Sequence, residues 1–297
     1  GNGGIRMDHM TAKVSGFARA YHYKNNNVHI FTDNIAEKLL GDDYNQIAKS
    51  LSDGIDFFCP GFEGTSEDGL RFILDRQLSP SVLGRSAFCE DKLADAIVDG
   101  CKQYLVFAAG YDTYALRRED ESITVFELDY SQMLNDKTER IRKAQLITSA
   151  VDVPCDLADA TWKEKLLAAG YGKEQKAFGS LLGISYYLEK ADFEDLLCGV
   201  SEIMAIGSAI CFDYPSVDES AETRKTQMLA TAAGEQMKAR YSYEELDKPL
   251  QKYGFALIEH LNAEKMTDRY FKEYNQANPR YKMQSPIGIG YVYAVKR

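Results

Sequence analysis

Apolar and polar positions change their rhythm once along this chain, near residue 100. Before it, apolar residues recur every three or four positions in KVSGFARAYHYK, IAEKLL, DYNQIAKSL and EDGLRFILDRQL, broken by Asn and Gly runs. That spacing predicts amphipathic helices. FCEDKLADAIVDGC continues the pattern, with Phe88, Leu93, Ala96 and Ile97 along one stripe. From Tyr104 the rhythm shortens. YLVFAA, ITVFELD, AFGSLLGI and SAICFDY are brief, nearly unbroken apolar runs. Charged helical stretches lie between and after them: SQMLNDKTERIRKAQ, ATWKEKLLAAG, KADFEDLLCGVSEIMAIG and SVDESAETRKTQMLATAAGEQM. Strand and helix in alternation predict an α/β fold whose mostly parallel sheet is covered on both faces. The tail departs from this. GFALIEHL and PIGIGYVYAVKR are strands separated by the charged NAEKMTDRYFKEYNQANPRYKMQ, an arrangement that suits an antiparallel last strand. With the short VDV at residues 151–153, the expected sheet has seven strands and is doubly wound, Rossmann-like. Residues 1–100 would form a helical cap and lead-in, and residues 101–297 the sheet domain, as one compact unit.

The formal charge of -10 and the lack of a dense Lys/Arg block argue against a nucleic-acid partner. No apolar run reaches the length of a membrane span, and GNGGIRMDHM lacks a signal-type apolar core. A cytoplasmic protein is expected, with its six cysteines reduced. No CxxC pair occurs among them and the chain has four histidines, so no metal site is expected.

The chemistry concentrates where the rhythm changes. In an open parallel sheet, ligands sit beyond the carboxyl ends of the strands, at the point where strand order reverses. The first such end reads AAGYDTY. Gly110 lets the backbone turn away from Ala109 and lets a ligand approach the main chain closely. A dinucleotide needs G-x-G-x-x-G there to seat its pyrophosphate. One glycine, with Tyr111 and Tyr114 beside it, suits a nucleoside cofactor without phosphate, S-adenosyl-L-methionine. The second strand ends in FELD. Asp129 could accept from both ribose hydroxyls, or it and Glu127 could simply be polar residues at a strand end. In VDVPCDLADATW, Asp156 could accept from an adenine amino group while the Leu157 N–H donates to a ring nitrogen. Alternatively, Asp156 or Asp159 caps the helix beginning near Thr161.

With these positions in view, the chain resembles the leucine carboxyl methyltransferase family, and more closely a bacterial branch of O-methyltransferases linked to polyketide biosynthesis. TAKVSGFARAYH, FTDNIAEKLL, GRSAFCEDKLADAIVDGCKQYLVFAAGYDTYALR, VFELDYSQMLNDK, CDLADATW and the YYL after the fourth strand carry the resemblance, in order and spacing. It implies S-adenosyl-L-methionine as cofactor. Arg85 would pair with the carboxylate of its methionine end, Gly110 would lie beneath that end, Asp129 would hold the ribose, and Asp156 with Leu157 the adenine. The family usually has a second glycine where Ala109 stands, an arginine at Tyr114, and a glutamate at Leu182 that contacts the cofactor's amino group.

Methyl transfer from a sulfonium needs alignment and exclusion of water more than acid–base catalysis. No catalytic residue is singled out. Tyr21, Tyr114, Tyr186, Tyr187 and Tyr214 occupy expected pocket positions, or pack with their hydroxyls in water. His22 could act as a base, but beside an Asn run it reads as exposed. The expected activity is O-methylation of a carboxylate or hydroxyl on a small-molecule or peptide acceptor. A non-catalytic cofactor-binding relative is the second reading, motivated by the altered loop and by Leu182, and a nicotinamide oxidoreductase the third.

Overall fold

The helical rhythm of the first hundred residues becomes α1 (Asn2–Asn25), α2 (Ala36–Leu40), α3 (Asp43–Asp53), α4 (Ile55–Phe58), α5 (Ser66–Ile73) and α6 (Ser79–Val98). The structure is a computed structural model that describes residues 2–118, 122–217 and 239–297. A π-helical turn, Leu74–Leu78, joins α5 to α6. Helix α6 starts at Ser79, well before the FCEDK run that announced it. Pro80 sits at the start of α6, directly after the π-helical turn. Gly84 is where the C-terminal region approaches. A Cβ there would lie 3.1 Å from the Met266 sulfur.

The alternating half gives β1 (Gln103–Phe107), α7 (Tyr114–Arg117), β2 (Thr124–Asp129), α8 (Ser131–Lys143), β3 (Val151–Pro154), α9 (Trp162–Ala168), β4 (Ala177–Leu181), α10 (Lys190–Ile203) and β5 (Ala209–Pro215). After it come α11 (Tyr243–Lys252), β6 (Phe255–Leu261), α12 (Ala263–Met266), α13 (Lys272–Ala277) and β7 (Ile289–Lys296). The helix expected over SVDESAETRKTQMLATAAGEQM lies, from residue 218 on, outside the described residues.

The seven strands form one sheet in the order β3-β2-β1-β4-β5-β7-β6. Six run parallel, and β7 lies antiparallel between β5 and β6, the inserted last strand that the tail predicts. Strand order reverses between β1 and β4, which opens a crevice beyond their carboxyl ends. Alternate residues of β1 serve opposite faces. Leu105 and Phe107 pack with Trp162, Leu196 and Val200 of α9 and α10. Tyr104 and Val106 pack with Leu83, Phe88 and Leu93 of α6. The cap has its own core, in which Phe17, Leu40, Tyr44, Leu51 and Leu74 meet. Ile35 and Leu39 join it to the sheet half through Tyr111 and Met133.

Candidate functional site

Strand β1 ends at Phe107, and the next three residues turn the chain out of the sheet. Ala108 and Gly110 are both left-handed, each with φ of 51°. Ala109 between them continues the β2 ladder, its N–H donating to the Leu128 carbonyl at 3.1 Å. The requirement for a further glycine therefore falls on Ala108, one residue before the position the sequence suggested, and Ala108 carries the strain. Gly110 is needed for its φ and also for space, because a Cβ would stand 3.3 Å from the Ala12 Cβ of α1. Its N–H donates to Asp129 Oδ2 at 2.8 Å, and the Tyr130 N–H donates to Asp129 Oδ1 at 2.8 Å. Two main-chain donors thus fix this carboxylate, and each oxygen keeps lone-pair capacity.

Around this turn lies a cavity of about 410 Å³. Arg85, Gly110, Asp129, Asp156 and Leu157 all line it, from α6 and from the ends of β1, β2 and β3. Arg85 Nη1 is 3.4 Å from Asp213 Oδ2, and Nη2 donates to Ser15 Oγ at 3.3 Å. Its guanidinium lies against Gly183, where a Cβ would be 3.1 Å from Nη2. Burial works against the Arg85 charge, but Asp213, together with Tyr186, Tyr187 and Tyr291, outweighs it and holds Arg85 above its ordinary value. Asp213, fully buried in β5, also accepts the Gly183 N–H at 2.8 Å and the Tyr186 hydroxyl at 2.7 Å. Burial, reinforced by Asp213, raises Tyr186 well above the ordinary tyrosine range, so it stays a donor. The sequence reading passed over Asp213. Its signal is a lone acid inside the apolar run SAICFDY.

Asp156 is exposed and its Oδ1 accepts the Ala158 N–H at 2.9 Å. Asp159 likewise accepts from the Thr161 N–H at 3.0 Å. Neither caps α9, whose N-cap is Thr161 with no side-chain cap bond.

A set of buried ions holds the turn in place. Glu127, one of the two acids in FELD, is structural: Lys137 Nζ lies 2.7 Å from its Oε1 and donates to the Asp112 carbonyl at 2.6 Å. Asp33 gathers the cap onto the loop. It accepts from Arg19 Nε at 2.9 Å, from Thr113 Oγ1 at 2.9 Å, and from the Ile35 and Ala36 N–H groups at 3.0 Å each. Burial would raise the Asp33 carboxyl, but Arg19 and Arg117 outweigh it and hold it below its usual value. Arg19 Nη2 also donates to the Tyr111 carbonyl at 2.8 Å. Arg117 grips both oxygens of Glu90, at 3.1 and 2.5 Å, and burial pushes the Glu90 carboxyl up to about 7 against that pull. Asp33 stands in FTDNIAEKLL and Glu90 in GRSAFCEDK, so both lay in segments that carried the family resemblance without a role being read for them. Two buried oxygens at the cavity have no hydrogen-bond partner: Thr11 Oγ1 and Asp112 Oδ1.

Of the five tyrosines expected at the pocket, Tyr187 lines the cavity, while Tyr21, Tyr114, Tyr186 and Tyr214 do not. Tyr114 packs edge-on against Tyr104, and the Tyr214 hydroxyl pairs with His260 Nε2 at 2.7 Å. Tyr111 does line the cavity, but its hydroxyl donates to Asp136 on α8. His22, expected to be exposed, is buried and outside the cavity wall. Its Nε2 accepts the Ile30 N–H at 2.9 Å. All six cysteines are free. The two at the cavity are poor nucleophiles: contact with Cys211 and burial raise Cys89, and burial raises Cys155 to about 11. Among the described residues, no helix is long and apolar enough to cross a membrane.

The cavity therefore combines a glycine bend, a doubly anchored carboxylate, a charged guanidinium and unpaired buried oxygens, with a volume in the range of small-molecule sites. That donor set fits a nucleoside bearing an amino-acid end. Comparison with known proteins agrees. The family described as Leucine carboxyl methyltransferase matches residues 12–201. A Bacillus subtilis protein named "Putative S-adenosyl-L-methionine-dependent methyltransferase YktD" is 31% identical over 305 residues, covering 97% of this chain and 98% of its own. Among solved structures, a DUF574 family protein from Streptomyces avermitilis superposes with a TM-score of 0.58 at 12% identity, covering 97% of each chain. A "putative methyltransferase" from Thermobifida fusca gives 0.55 at 15% identity, over 88% of this chain and 92% of that one. Both structural likenesses are likenesses of fold.

Proposed function

The chain belongs to the leucine carboxyl methyltransferase family, and on that premise we propose that it is an O-methyltransferase acting on a carboxylate or hydroxyl of a small-molecule or peptide acceptor. It is an S-adenosyl-L-methionine-dependent methyltransferase. The observation that carries the proposal is the convergence of Arg85, Gly110, Asp129, Asp156 and Leu157, from separate parts of the chain, on one cavity. When bound, the cofactor supplies an activated methyl group on a sulfonium.

In this reading Arg85, held charged by Asp213, pairs with the carboxylate of the cofactor's amino-acid end. Gly110 gives that end room, and Asp129 accepts from the ribose hydroxyls while Gly110 and Tyr130 fix it from behind. Asp156 and the Leu157 N–H meet the adenine edge. Tyr187, which follows β4 and lines the cavity, would meet the acceptor. The protein's work is then alignment and dryness, the effects that dominate when the leaving group is already activated. A carboxylate acceptor needs no base. A cytoplasmic setting with reduced thiols belongs to the same reading.

Transfer of a tritiated methyl group to a panel of carboxylates and alcohols tests this. A base-labile ester or a base-stable ether as the product is the expected result. Methylation confined to nitrogen or sulfur acceptors would overturn the assignment to oxygen.

A further inference from the structure

An amino-acid end carries two charges, and Arg85 answers only one of them. A buried ammonium needs an anionic or strongly polar acceptor of its own. Five carboxylates line the cavity: Glu90, Asp112, Asp129, Asp156 and Asp192. Glu90 is engaged on both oxygens by Arg117. Asp129 already takes one main-chain N–H on each oxygen at the nucleoside end of the bend. Asp156 and Asp192 are exposed, so water serves them. Leu182, at the end of β4, offers only an apolar side chain. Asp112 is different. Its Oδ1 is buried with no partner, and its Oδ2 makes only a 3.5 Å contact with the Tyr114 N–H.

The surroundings place Asp112 at the amino-acid end. It follows Gly110 by two residues, and Gly110 abuts Ala12 of α1. One turn on, Ser15 accepts from Arg85, and Arg85 lies on Gly183. The bend, this face of α1, the guanidinium and the end of β4 thus meet around one part of the cavity. Lys137 pins the Asp112 carbonyl at 2.6 Å, which fixes the main chain of a residue that lines the cavity. Thr11, whose hydroxyl is the other unpaired buried oxygen, lines the same wall. An unpaired buried carboxylate oxygen is costly unless something binds it.

We infer that Asp112 is the acceptor for the ammonium of the cofactor's amino-acid end, so that Asp112 and Arg85 together read its zwitterion. The inference rests on the cofactor arrangement proposed above, and the test separates the two. S-adenosylhomocysteine carries the ammonium and 5′-methylthioadenosine lacks the amino-acid end. Titration calorimetry of both against the full chain and its Asp112→Asn variant reads the interaction without any turnover. The expected result is at least about a tenfold weakening of S-adenosylhomocysteine by Asp112→Asn, as for loss of a charge-assisted bond. The affinity for 5′-methylthioadenosine should change less than about twofold, because Asn keeps the contact with the Tyr114 N–H. Equal losses for both ligands would mark Asp112 as structural and overturn the inference, as would unchanged binding of both. Selective loss in Glu90→Gln instead would move the role to Glu90. Failure of the unmodified chain to bind either ligand would overturn the cofactor arrangement itself.

Discussion

Single backbone positions decide the shape of the bend, and one of them carries the wrong residue for its conformation. Ala108 is left-handed at φ 51°, where a Cβ costs about 1–2 kcal/mol. Ala108→Gly removes that cost and adds chain entropy to the unfolded state, about 0.5–1 kcal/mol. The net expectation is a gain of about 0.5–1 kcal/mol in urea unfolding. A loss of stability would show that the Ala108 methyl packs usefully enough to outweigh its strain. At this scale the sequence was informative where one chemical need selects one residue type. Gly110 is such a case, since its φ and its 3.3 Å approach to Ala12 both disfavour a side chain. Asp213 stood out as a lone acid in an apolar run, but its role was illegible because its partners, Arg85, Gly183 and Tyr186, come from distant segments that only folding brings to β5. The missing glycine was displaced by one residue because spacing alone cannot say which alanine of the pair turns left-handed.

At the scale of elements, period and punctuation carried most of the fold. The seven strands and their order of helices follow from the alternation of short apolar runs with charged helical ones. Helix α11 was not read, although its start is written in the chain. Ser242 accepts from the Glu245 N–H at 3.1 Å while Glu245 Oε1 accepts from the Ser242 N–H at 3.1 Å, a capping box. Pro249 lies inside this helix. Ser242→Ala should cost about 1 kcal/mol in denaturant unfolding, and no change would mean that the packing of Leu246 and Leu250 alone sets the helix start. The pairing of Glu127 with Lys137 was equally hidden, because β2 and α8 look like an apolar strand and a charged surface helix. Both side chains are in fact almost fully buried. Lys137→Met strands the Glu127 carboxylate, which burial already pushes upward, and releases the Asp112 carbonyl. The expected loss is about 3–5 kcal/mol, partly recovered by adding Glu127→Gln. A double variant no better than the single would place the whole cost in the freed loop.

Across the whole molecule, the helical cap contains a buried polar cluster whose members answer acid in opposite senses. Tyr274 of α13 bridges it: its ring lies 5.3 Å from the His22 ring of α1, and its hydroxyl donates to Asp75 Oδ2 at 3.1 Å. Arg71 pairs with Asp75 at 3.2 Å, and His29 lies edge-on to His22 at 5.5 Å. Burial, helped by His29 and Arg71, lowers His22 from 6.5 to about 3. Between those values the unfolded chain binds a proton that the folded one refuses. Stability from His22 is therefore complete above 6.5 and is lost as pH falls toward 3. Asp75 does the reverse. Burial raises it from 3.8 to about 6 although Arg71 pulls it down, so the folded chain holds the extra proton. Its contribution is complete below 3.8 and is lost as pH rises toward 6. In the interval that the two share, each slope is about 1.4 kcal/mol per pH unit at most, and they oppose. Groups elsewhere, Glu90 among them, add a slope common to every variant. His22→Gln, which keeps an acceptor for the Ile30 N–H, should therefore gain stability relative to the unmodified chain as pH is lowered from about 6 to 4. Asp75→Asn should lose it over the same range. Urea midpoints measured across that series decide the matter, and parallel profiles for all three proteins would mean that neither group changes its proton on unfolding. With opposed slopes, the cap's hold on the bend through Asp33 would vary little with mild acidification, because Asp33 itself, paired with Arg19, gives way only below its ordinary carboxylate range.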